Sequence, residues 1–282
     1  MANGHHRLDC VVTAKWEVAL LRYPSTERNA TKAVALVIGM RIVVWNCNMA
    51  LHRKLDALMR IAPDVVVLPE AGEPSKVLPQ VLTSADRTYE WIGNNAHKGL
   101  GVMAFEPFYL QRACLPDRNL EWVLPLHIRG KIDFTLLAVW AMNHRASPRA
   151  TGRNRDRQVV GALESYASLF GEGQLVVAGD LNDSAIWDKP RGARPFATMV
   201  ELLKQQGIVS AYHEVLGVKF GEERDPTIFW RDRKLEGPRY HIDYCFLPES
   251  WIPFTSVTIG SFDEWISPKL SDHVPLIVDV KM

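Results

Sequence analysis

The chain has 282 residues and a formal net charge of +1, with 47% hydrophobic and 23% charged residues. This composition is that of an ordinary globular protein, and it excludes a protein that binds polyanions through its overall charge. Any attraction to a polyanion must therefore come from a local patch.

The chain is long enough for one large α/β domain with an ample core, although its length would also allow two domains. We expect a single domain over residues 40–282. Residues 1–39 match no part of the pattern found downstream and form an N-terminal extension. Two interpretations of this extension stay open: a poorly ordered leader, and a segment upstream of a true start at Met40.

Cysteine spacing argues against a zinc site, because none of the four cysteines forms a Cys-x-x-Cys pair. Reduced thiols predict a cytoplasmic protein, with Cys47 and Cys245 buried in strands as small hydrophobes. The apolar run of residues 33–40 resembles the core of a signal peptide, but no small-residue cleavage site follows it. The run is too short to span a membrane, so no stable membrane insertion is expected.

Two apolar runs near the start of the domain each lead into a polar residue. Arg41–Trp45 predicts the first strand and precedes Asn46, while Asp64–Leu68 predicts the second strand and precedes Pro69 and Glu70. Runs that are apolar throughout are typical of strands covered on both faces. The pattern therefore favours a layered α/β fold.

Two segments carry apolar residues at helical spacing, and each has one apolar face for a sheet: His52–Ile61 and Asp156–Phe170. Between them, Gly99–Phe105 and Trp122–Ile128 predict antiparallel strands ahead of a buried strand over residues 132–140.

An arginine-rich stretch, residues 145–157, follows that buried strand. Guanidinium groups donate in a forked geometry that suits phosphate, whereas a run of charge is usually a solvated surface. Both interpretations stay open. The first predicts that substrate is bound by Arg145, Arg149, Arg153 and Arg155.

The strand predicted over residues 174–179 ends in Gly179-Asp180-Leu181-Asn182. A carboxylate and a carboxamide at the mouth of a buried strand act strongly on a metal or a reacting water, because their surroundings are dry. An Asx turn is the alternative explanation, since Asp and Asn often cap tight turns.

Two clusters near the carboxyl terminus repeat this arrangement. Asp243 lies between Ile242 and Tyr244, and Ser271-Asp272-His273 precedes the apolar run Val274–Val280. Five strand ends that offer carboxylates, amides and an imidazole suit a hard cation such as Mg²⁺ and a histidine that acts as an acid or a base.

The ordered set of motifs resembles the endonuclease/exonuclease/phosphatase superfamily, which includes nucleases, sphingomyelinases and inositol polyphosphate phosphatases. The resemblance covers about residues 41 to 280 and rests on Trp45-Asn46, Leu68-Pro69-Glu70, Gly179-Asp180-Leu181-Asn182, Ile242-Asp243-Tyr244 and Ser271-Asp272-His273. It implies a four-layer α/β sandwich, in which two mixed β-sheets pack face to face with helices outside and the site lies at one edge.

The resemblance also implies roles for the motif residues. Three of them would hold Mg²⁺ or Mn²⁺: Glu70, Asn46 and Asp272. Asp180 would orient and deprotonate the attacking water, while Asn182 would fix the scissile phosphate. Asp243 would hold the ring of His273 and raise its pKa, so that the imidazole donates to a phosphoryl oxygen.

Two positions depart from the family pattern. Relatives carry a phosphate-contacting His or a Tyr after the strand that ends at Trp140, whereas this chain continues with Asn143 and His144. Either residue could contact the phosphate, and the choice stays open. Pro69 stands where many relatives carry Gln, which weakens placement in a subfamily.

We expect a metal-dependent phosphodiesterase that cleaves nucleic acid. A phosphatase or a lipid phosphodiesterase acting on a smaller phosphoester is the first alternative, and a catalytically silent binding module on the same fold is the second. Retention of every motif residue argues against the silent module. The near-zero net charge leaves the nucleic-acid choice open, and the sequence does not predict the oligomeric state.

Overall fold

A computed structural model describes residues 39–77, 87–113, 122–141, 159, 163–171, 173–188 and 196–282. All of these residues belong to one compact unit. Residues 1–38 of the expected N-terminal extension lie outside the described part, and the first strand begins at Gly39. The extension therefore stays a prediction.

The described strands follow one another along the whole domain. In chain order they are β1 (Gly39–Val44), β2 (Val65–Ala71), β3 (Arg87–Asn95), β4 (Lys98–Phe105), β5 (Tyr109–Arg112), β6 (Val123–Arg129), β7 (Phe134–Trp140), β8 (Leu175–Asp180), β9 (Ile208–Ser210), β10 (Ile228–Phe229), β11 (Arg239–Tyr240), β12 (Asp243–Pro248), β13 (Thr255–Ile259) and β14 (Leu276–Lys281). The runs predicted as strands from the sequence are confirmed, with ends displaced by up to three residues.

Two six-stranded sheets account for most of these strands, in the orders β13-β14-β1-β2-β4-β3 and β5-β6-β7-β8-β12-β9. Each sheet is mixed, because β1 pairs with β2 and β7 with β8 in parallel while the other described pairs are antiparallel. A short antiparallel pair, β10 with β11, stands apart from both sheets.

The main hydrophobic core lies between the two sheets. Ile42 and Val278 of one sheet and Leu136 and Val176 of the other belong to the same buried cluster. The opposite faces of β1, β2, β7 and β8 bury their side chains in two further clusters. Strands covered on both faces explain the continuous apolar runs, and the predicted α/β sandwich with helices outside is confirmed.

The described helices are short, and they run over Leu55–Met59 (α1), Pro74–Val77 (α2), Phe196–Gln205 (α3), Ala211–Leu216 (α4) and Phe262–Trp265 (α5). The helix predicted over His52–Ile61 is a 3₁₀ turn followed by α1. The helix predicted over Asp156–Phe170 is wrong at its carboxyl end, because a 3₁₀ turn covers Ala167–Gly171. Tyr166 and Leu169 still pack on the second sheet, so the predicted apolar face is retained. In the described part of the chain, no helix is long and apolar enough to span a bilayer.

Strand direction brings the polar residues of both sheets to one edge. The parallel strands β1 and β2 end side by side, at Asn46 and near Glu70. In the other sheet, β8 pairs antiparallel with β12 so that Asp180 lies directly opposite Asp243. Because the two sheets are stacked, four residues that are distant in sequence meet at the same end of the sandwich.

Candidate active site

Asn46 links the two sheets at this edge. Its buried side-chain amide donates to Asp180 Oδ2 at 2.9 Å and, over a longer 3.4 Å, to Glu70 Oε1. Its backbone carbonyl accepts a hydrogen bond from Ser271 Oγ at 2.7 Å. One amide therefore positions two carboxylates that the sequence places in different motifs.

The loop after Asn46 adopts a strained backbone. Asn48, Met49 and Ala50 have φ values of 48°, 59° and 49°, the left-handed region that costs a non-glycine residue roughly 1–2 kcal/mol. Hydrogen bonds hold this turn, including one from Asn48 Nδ2 to Asp272 Oδ1 at 2.9 Å. Strain of this kind persists where the surroundings over-determine it, as at binding and catalytic sites. Sequence reasoning missed Asn48, for which its spacing of two residues from Asn46 is the only signal.

A bulge in β2 turns Glu70 toward the site. The register shifts between Pro69 and Ala71, and Glu70 itself has a φ of 60°. The ammonium of Lys98 lies 3.1 Å from Glu70 Oε2 and 5.2 Å from the centre of the Trp140 ring. Lys98 was not predicted, because it joins the site only through the pairing of β2 with β4.

Asp180 is fully buried at the end of β8. Besides the amide of Asn46, its carboxylate accepts hydrogen bonds from the backbone N and the side-chain Nδ2 of Asn182, at 2.9 Å and 3.1 Å. The bond from the backbone N of Asn182 is that of an Asx turn. The Asx turn that the sequence offered as an alternative is therefore present within the candidate site. Burial and the nearby charge of Asp243 raise the pKa of the Asp180 carboxyl to about 7.

The preceding glycine is required by the sheet. Gly179 has a φ of 150°, and a Cβ on it would lie 1.7 Å from the carbonyl oxygen of Val139 on β7. The close approach of β7 and β8 therefore excludes any side chain here, which explains the Gly in the Gly-Asp-Leu-Asn motif.

Asp243 and His273 form a buried pair. His273 Nδ1 contacts Asp243 Oδ2 at 2.8 Å, and since a carboxylate only accepts, Nδ1 carries the proton. Burial by itself would lower the pKa of the His273 imidazole, but the carboxylates of Asp243 and Asp180 outweigh it and raise that pKa to about 10. Asp243 Oδ1 is buried without a hydrogen-bond partner among the described residues.

The segment Ser271–His273 is tied to the first strand of the domain. Ser271 Oγ accepts from the backbone N of His273 at 3.1 Å, and Trp45 Nε1 donates to the His273 carbonyl at 3.1 Å. Asp272 is more open, and its Oδ2 lies 3.6 Å from Arg233 Nη2. The geometry of this segment thus comes from contacts with residues 45 and 46.

The pair β10–β11 and the preceding Thr227 are hydrogen-bonded to the segments that carry Asp243 and Asp272. Thr227 Oγ1 accepts from the backbone N of Ile242 at 3.0 Å and of Asp243 at 3.1 Å. The backbone N of Phe229 donates to the Asp272 carbonyl at 2.8 Å. The loop that joins β10 to β11 therefore borders the site, although nothing in the sequence motifs indicates this.

Aromatic side chains on this border face solvent. Trp230 is 42% exposed and Trp187 is 38% exposed. Tyr240 contacts both, with ring centroids 6.2 Å from Trp230 and 5.0 Å from Trp187. The guanidinium of Arg231 stacks 4.1 Å from the centre of the Trp230 ring. We call Trp187, Trp230, Arg231 and Tyr240 the aromatic border.

Several predicted residues lie outside the described part of the chain. They are the two alternatives for phosphate contact, Asn143 and His144, and the arginines Arg145, Arg149, Arg153 and Arg155. The last described strand before them, β7, ends beside Asp180. Their roles stay predictions.

Ligand atoms of three residues come within 4.8 Å of one another and could hold a metal ion: Asp180, Asp243 and His273. An imidazolium offers no lone pair to a metal, so the raised pKa of His273 makes this trio better suited to proton transfer than to metal binding. Glu70, Asn46 and Asp272 supply oxygen donors at the more open side of the site, as hard divalent cations prefer. Asp243 Oδ1 has no hydrogen-bond partner among the residues that the structure describes, which is consistent with a cation or water in this region.

The sequence profile of the Endonuclease/Exonuclease/phosphatase family matches residues 43–273 of the chain. No curated protein sequence matches this chain.

Solved structures share the fold. The 3′–5′ exonuclease NExo from Neisseria meningitidis is 18% identical with a TM-score of 0.63, over 86% of this chain and 100% of that one. Truncated TDP2 from Caenorhabditis elegans is 12% identical with a TM-score of 0.61, over 86% and 98% of the two chains. The AP endonuclease LMAP from Leishmania major is 14% identical with a TM-score of 0.58, over 86% and 88%. At such identities the similarity establishes the fold alone.

Proposed function

Because the chain belongs to the Endonuclease/Exonuclease/phosphatase family, we propose that it is a divalent-metal-dependent phosphodiesterase that hydrolyses phosphodiester bonds of nucleic acid. The observation that carries the proposal is the chain of contacts Glu70–Asn46–Asp180 beside the Asp243–His273 pair. Five side chains from both sheets meet there, and each has a use in phosphoryl transfer to water.

In this proposal Glu70, Asn46 and Asp272 hold Mg²⁺ or Mn²⁺. The bound cation would neutralise charge on the phosphoryl oxygens. Glu70 and Asp272 are only partly buried, with side chains 19% and 27% exposed, so both carboxylates can reach an ion that also contacts substrate.

Asp180 takes the proton of the attacking water. A general base works best when its pKa lies near the working pH, and burial beside Asp243 raises the pKa of Asp180 to about 7. Asn46 and Asn182 donate to the carboxylate and fix its direction. In this proposal Asn182 also contacts the scissile phosphate.

His273 acts as a charged donor to a phosphoryl oxygen. Its Nδ1–H is engaged by Asp243, which leaves Nε2–H as the second donor of the imidazolium. Because this cation is already in place before reaction, it stabilises negative charge on the phosphoryl group without reorganisation.

The aromatic border supports nucleic acid as the substrate class. Exposed aromatic rings stack on bases with little sequence preference, and arginine adds a cation–π contact. The adjoining loop is locally basic, with Arg233, Lys234 and Arg239 close to Trp230 in sequence. This is a local patch of the kind that a net charge of +1 requires. Among the structural neighbours, NExo is bound to a product DNA hairpin.

Replacing Glu70 by Ala should raise the Mn²⁺ concentration that gives half-maximal activity by at least about tenfold, because a charged ligand is removed. Initial rates over a Mn²⁺ series measure this, and electron paramagnetic resonance of free Mn²⁺ measures binding directly. Glu90→Ala is the matched control. Glu90 lies on β3, and its carboxylate pairs with Arg112 of β5 rather than with a residue of the proposed site. Equal Mn²⁺ affinity in wild type and Glu70→Ala would remove Glu70 from the metal site.

Replacing Trp230 by Ala should weaken binding of single-stranded DNA by about tenfold, because loss of one base stack costs roughly 1–3 kcal/mol. Hydrolysis of bis(4-nitrophenyl) phosphate, which has no base, should stay near the wild-type rate. Phe254→Ala is the control, because Phe254 is 50% exposed and follows the far end of β12. If DNA binding and hydrolysis of the small phosphodiester fall by the same factor, Trp230 supports the structure of the site and does not stack on a base.

An activity panel decides the substrate class. Plasmid, single-stranded DNA, abasic duplex, RNA, inositol phosphates and sphingomyelin are each incubated with Mg²⁺ or Mn²⁺. We expect turnover of a polynucleotide. Turnover confined to an inositol phosphate or a lipid would replace the nuclease proposal by the phosphatase or lipid phosphodiesterase alternative, with the metal chemistry retained.

A further inference from the structure

Two carboxylates that we propose as metal ligands are each paired with a cation of the chain itself. Lys98 Nζ lies 3.1 Å from Glu70 Oε2, and Arg233 Nη2 lies 3.6 Å from Asp272 Oδ2. These cations come from unrelated elements, the first residue of β4 and the loop between β10 and β11. Both carboxylates of the proposed metal site are therefore paired with a cation.

Both ion pairs are partly exposed to solvent. The side chains of Lys98 and Arg233 are 36% and 39% exposed, so both cations remain partly hydrated. Lys98 otherwise lies over the ring of Trp140, and Arg233 makes no hydrogen bond with any residue that the structure describes. Half-exposed pairs of this kind contribute little stability, so the two cations are free to change partners.

A divalent cation on Glu70 and Asp272 would repel these groups. The ammonium and the guanidinium would then be left beside a metal-bound phosphate, whose oxygens are better partners for them than water is. Their positions suit this role, because Trp140 pairs with Asp180 in the sheet while Asp272 directly precedes His273. Lys98 and Arg233 thus each contact a residue that neighbours a proposed proton-transfer residue in the sheet or in the sequence.

Resting on the proposed function, we propose that Lys98 and Arg233 are substrate-phosphate ligands that occupy Glu70 and Asp272 until a divalent cation takes these carboxylates. With a metal held by Glu70 and Asp272, Lys98 and Arg233 would lose these partners and would bind the phosphate instead. Occupation by metal and affinity for phosphate are coupled through the exchange. Arg233 contributes a forked donor for two phosphoryl oxygens, and Lys98 a single point charge.

The exchange predicts effects of opposite sign from one substitution. Lys98→Met and Arg233→Met each remove a competitor for a ligand carboxylate, so Mn²⁺ should bind about two- to fivefold more tightly. Each also removes a charged phosphate donor, so a DNA hairpin should bind roughly tenfold more weakly when Mn²⁺ is present. A residue that merely held the carboxylates in place would weaken metal binding when replaced.

The experiment measures Mn²⁺ affinity by electron paramagnetic resonance on the full chain without substrate. DNA hairpin affinity is then measured by fluorescence anisotropy with saturating Mn²⁺, in an Asp180→Asn background that prevents turnover. Arg129→Met is the matched control. Arg129 has a similar exposure, 37%, and a similar ion pair, with Asp133 at 3.1 Å. It is the last residue of β6 and pairs with none of the proposed site residues. It should change neither affinity.

Unchanged or weaker Mn²⁺ binding in Lys98→Met and Arg233→Met would overturn the exchange, as would unchanged hairpin affinity. The Mn²⁺ measurement needs no substrate, so it stays decisive if DNA is not the substrate. Glu70→Ala distinguishes failure of the exchange from failure of the proposed metal site. Loss of Mn²⁺ binding in Glu70→Ala without tighter binding in Lys98→Met leaves the proposed metal site standing and refutes the exchange alone.

Discussion

Asp180→Asn should lower kcat by at least about a hundredfold while leaving the fold intact. The substitution keeps the size of the side chain and removes the group that takes the proton of the attacking water, a contribution typically of 10²–10⁴-fold. Substrate affinity should change little, because the carboxylate acts mainly in the transition state. Single-turnover rates at saturating Mg²⁺ measure the loss. A variant that turns over at the wild-type rate would show that Asp180 is not the base.

The same substitution has a distinguishable effect on stability. The folded pKa of Asp180, about 7, lies above the ordinary value for an aspartate. A raised carboxyl pKa means that stability is present at low pH and is lost as pH rises toward the folded pKa. Asp180→Asn escapes this loss, so its melting temperature should rise relative to wild type as the pH increases from about 4, near the ordinary aspartate pKa, to about 7 in chelator. If the difference in melting temperature between the two proteins did not change with pH, the raised pKa of Asp180 would be wrong.

His273→Asn should also lower kcat by about a hundredfold or more. The amide of Asn can replace Nδ1 as the donor to Asp243, which protects a buried carboxylate from being left unpaired, but it offers nothing in place of Nε2. Comparing phosphodiesters with good and poor leaving groups identifies the role. If His273 donates to a phosphoryl oxygen, both should slow equally. A penalty confined to the poor leaving group would assign His273 to the leaving oxygen instead.

Sequence patterns were sufficient to predict the position of a candidate site residue wherever that residue lies at the end of a strand. Asn46, Glu70 and Asp180 each lie at the end of an apolar run. Parallel pairing brings Asn46 and Glu70 to the same edge of one sheet, and Asn46 contacts Asp180 of the other sheet. The pairing of Asp243 with His273 followed from the family resemblance and matches the observed 2.8 Å contact.

Sequence patterns could not predict the residues that join the site through strand register or loop conformation. Lys98 meets Glu70 only because β4 pairs antiparallel with β2 across a bulge. Arg233 approaches Asp272 from a loop in which Arg231 and Arg233 both have positive φ. Asn48 contacts Asp272 through a left-handed turn that is unusual for the residues it contains. Local propensity predicts none of these conformations, since tertiary contacts impose them.

Cleavage of single-stranded and hairpin DNA, followed with Mg²⁺, with Mn²⁺ and with excess chelator, tests the central proposal most directly. Wild type should cleave when either metal is present, lose cleavage in chelator and regain it when metal is restored. Asp180→Asn should stay at least about a hundredfold slower under the same conditions. Cleavage at the full rate in excess chelator, or equal rates in wild type and Asp180→Asn, would contradict a metal-dependent phosphodiesterase acting at this site.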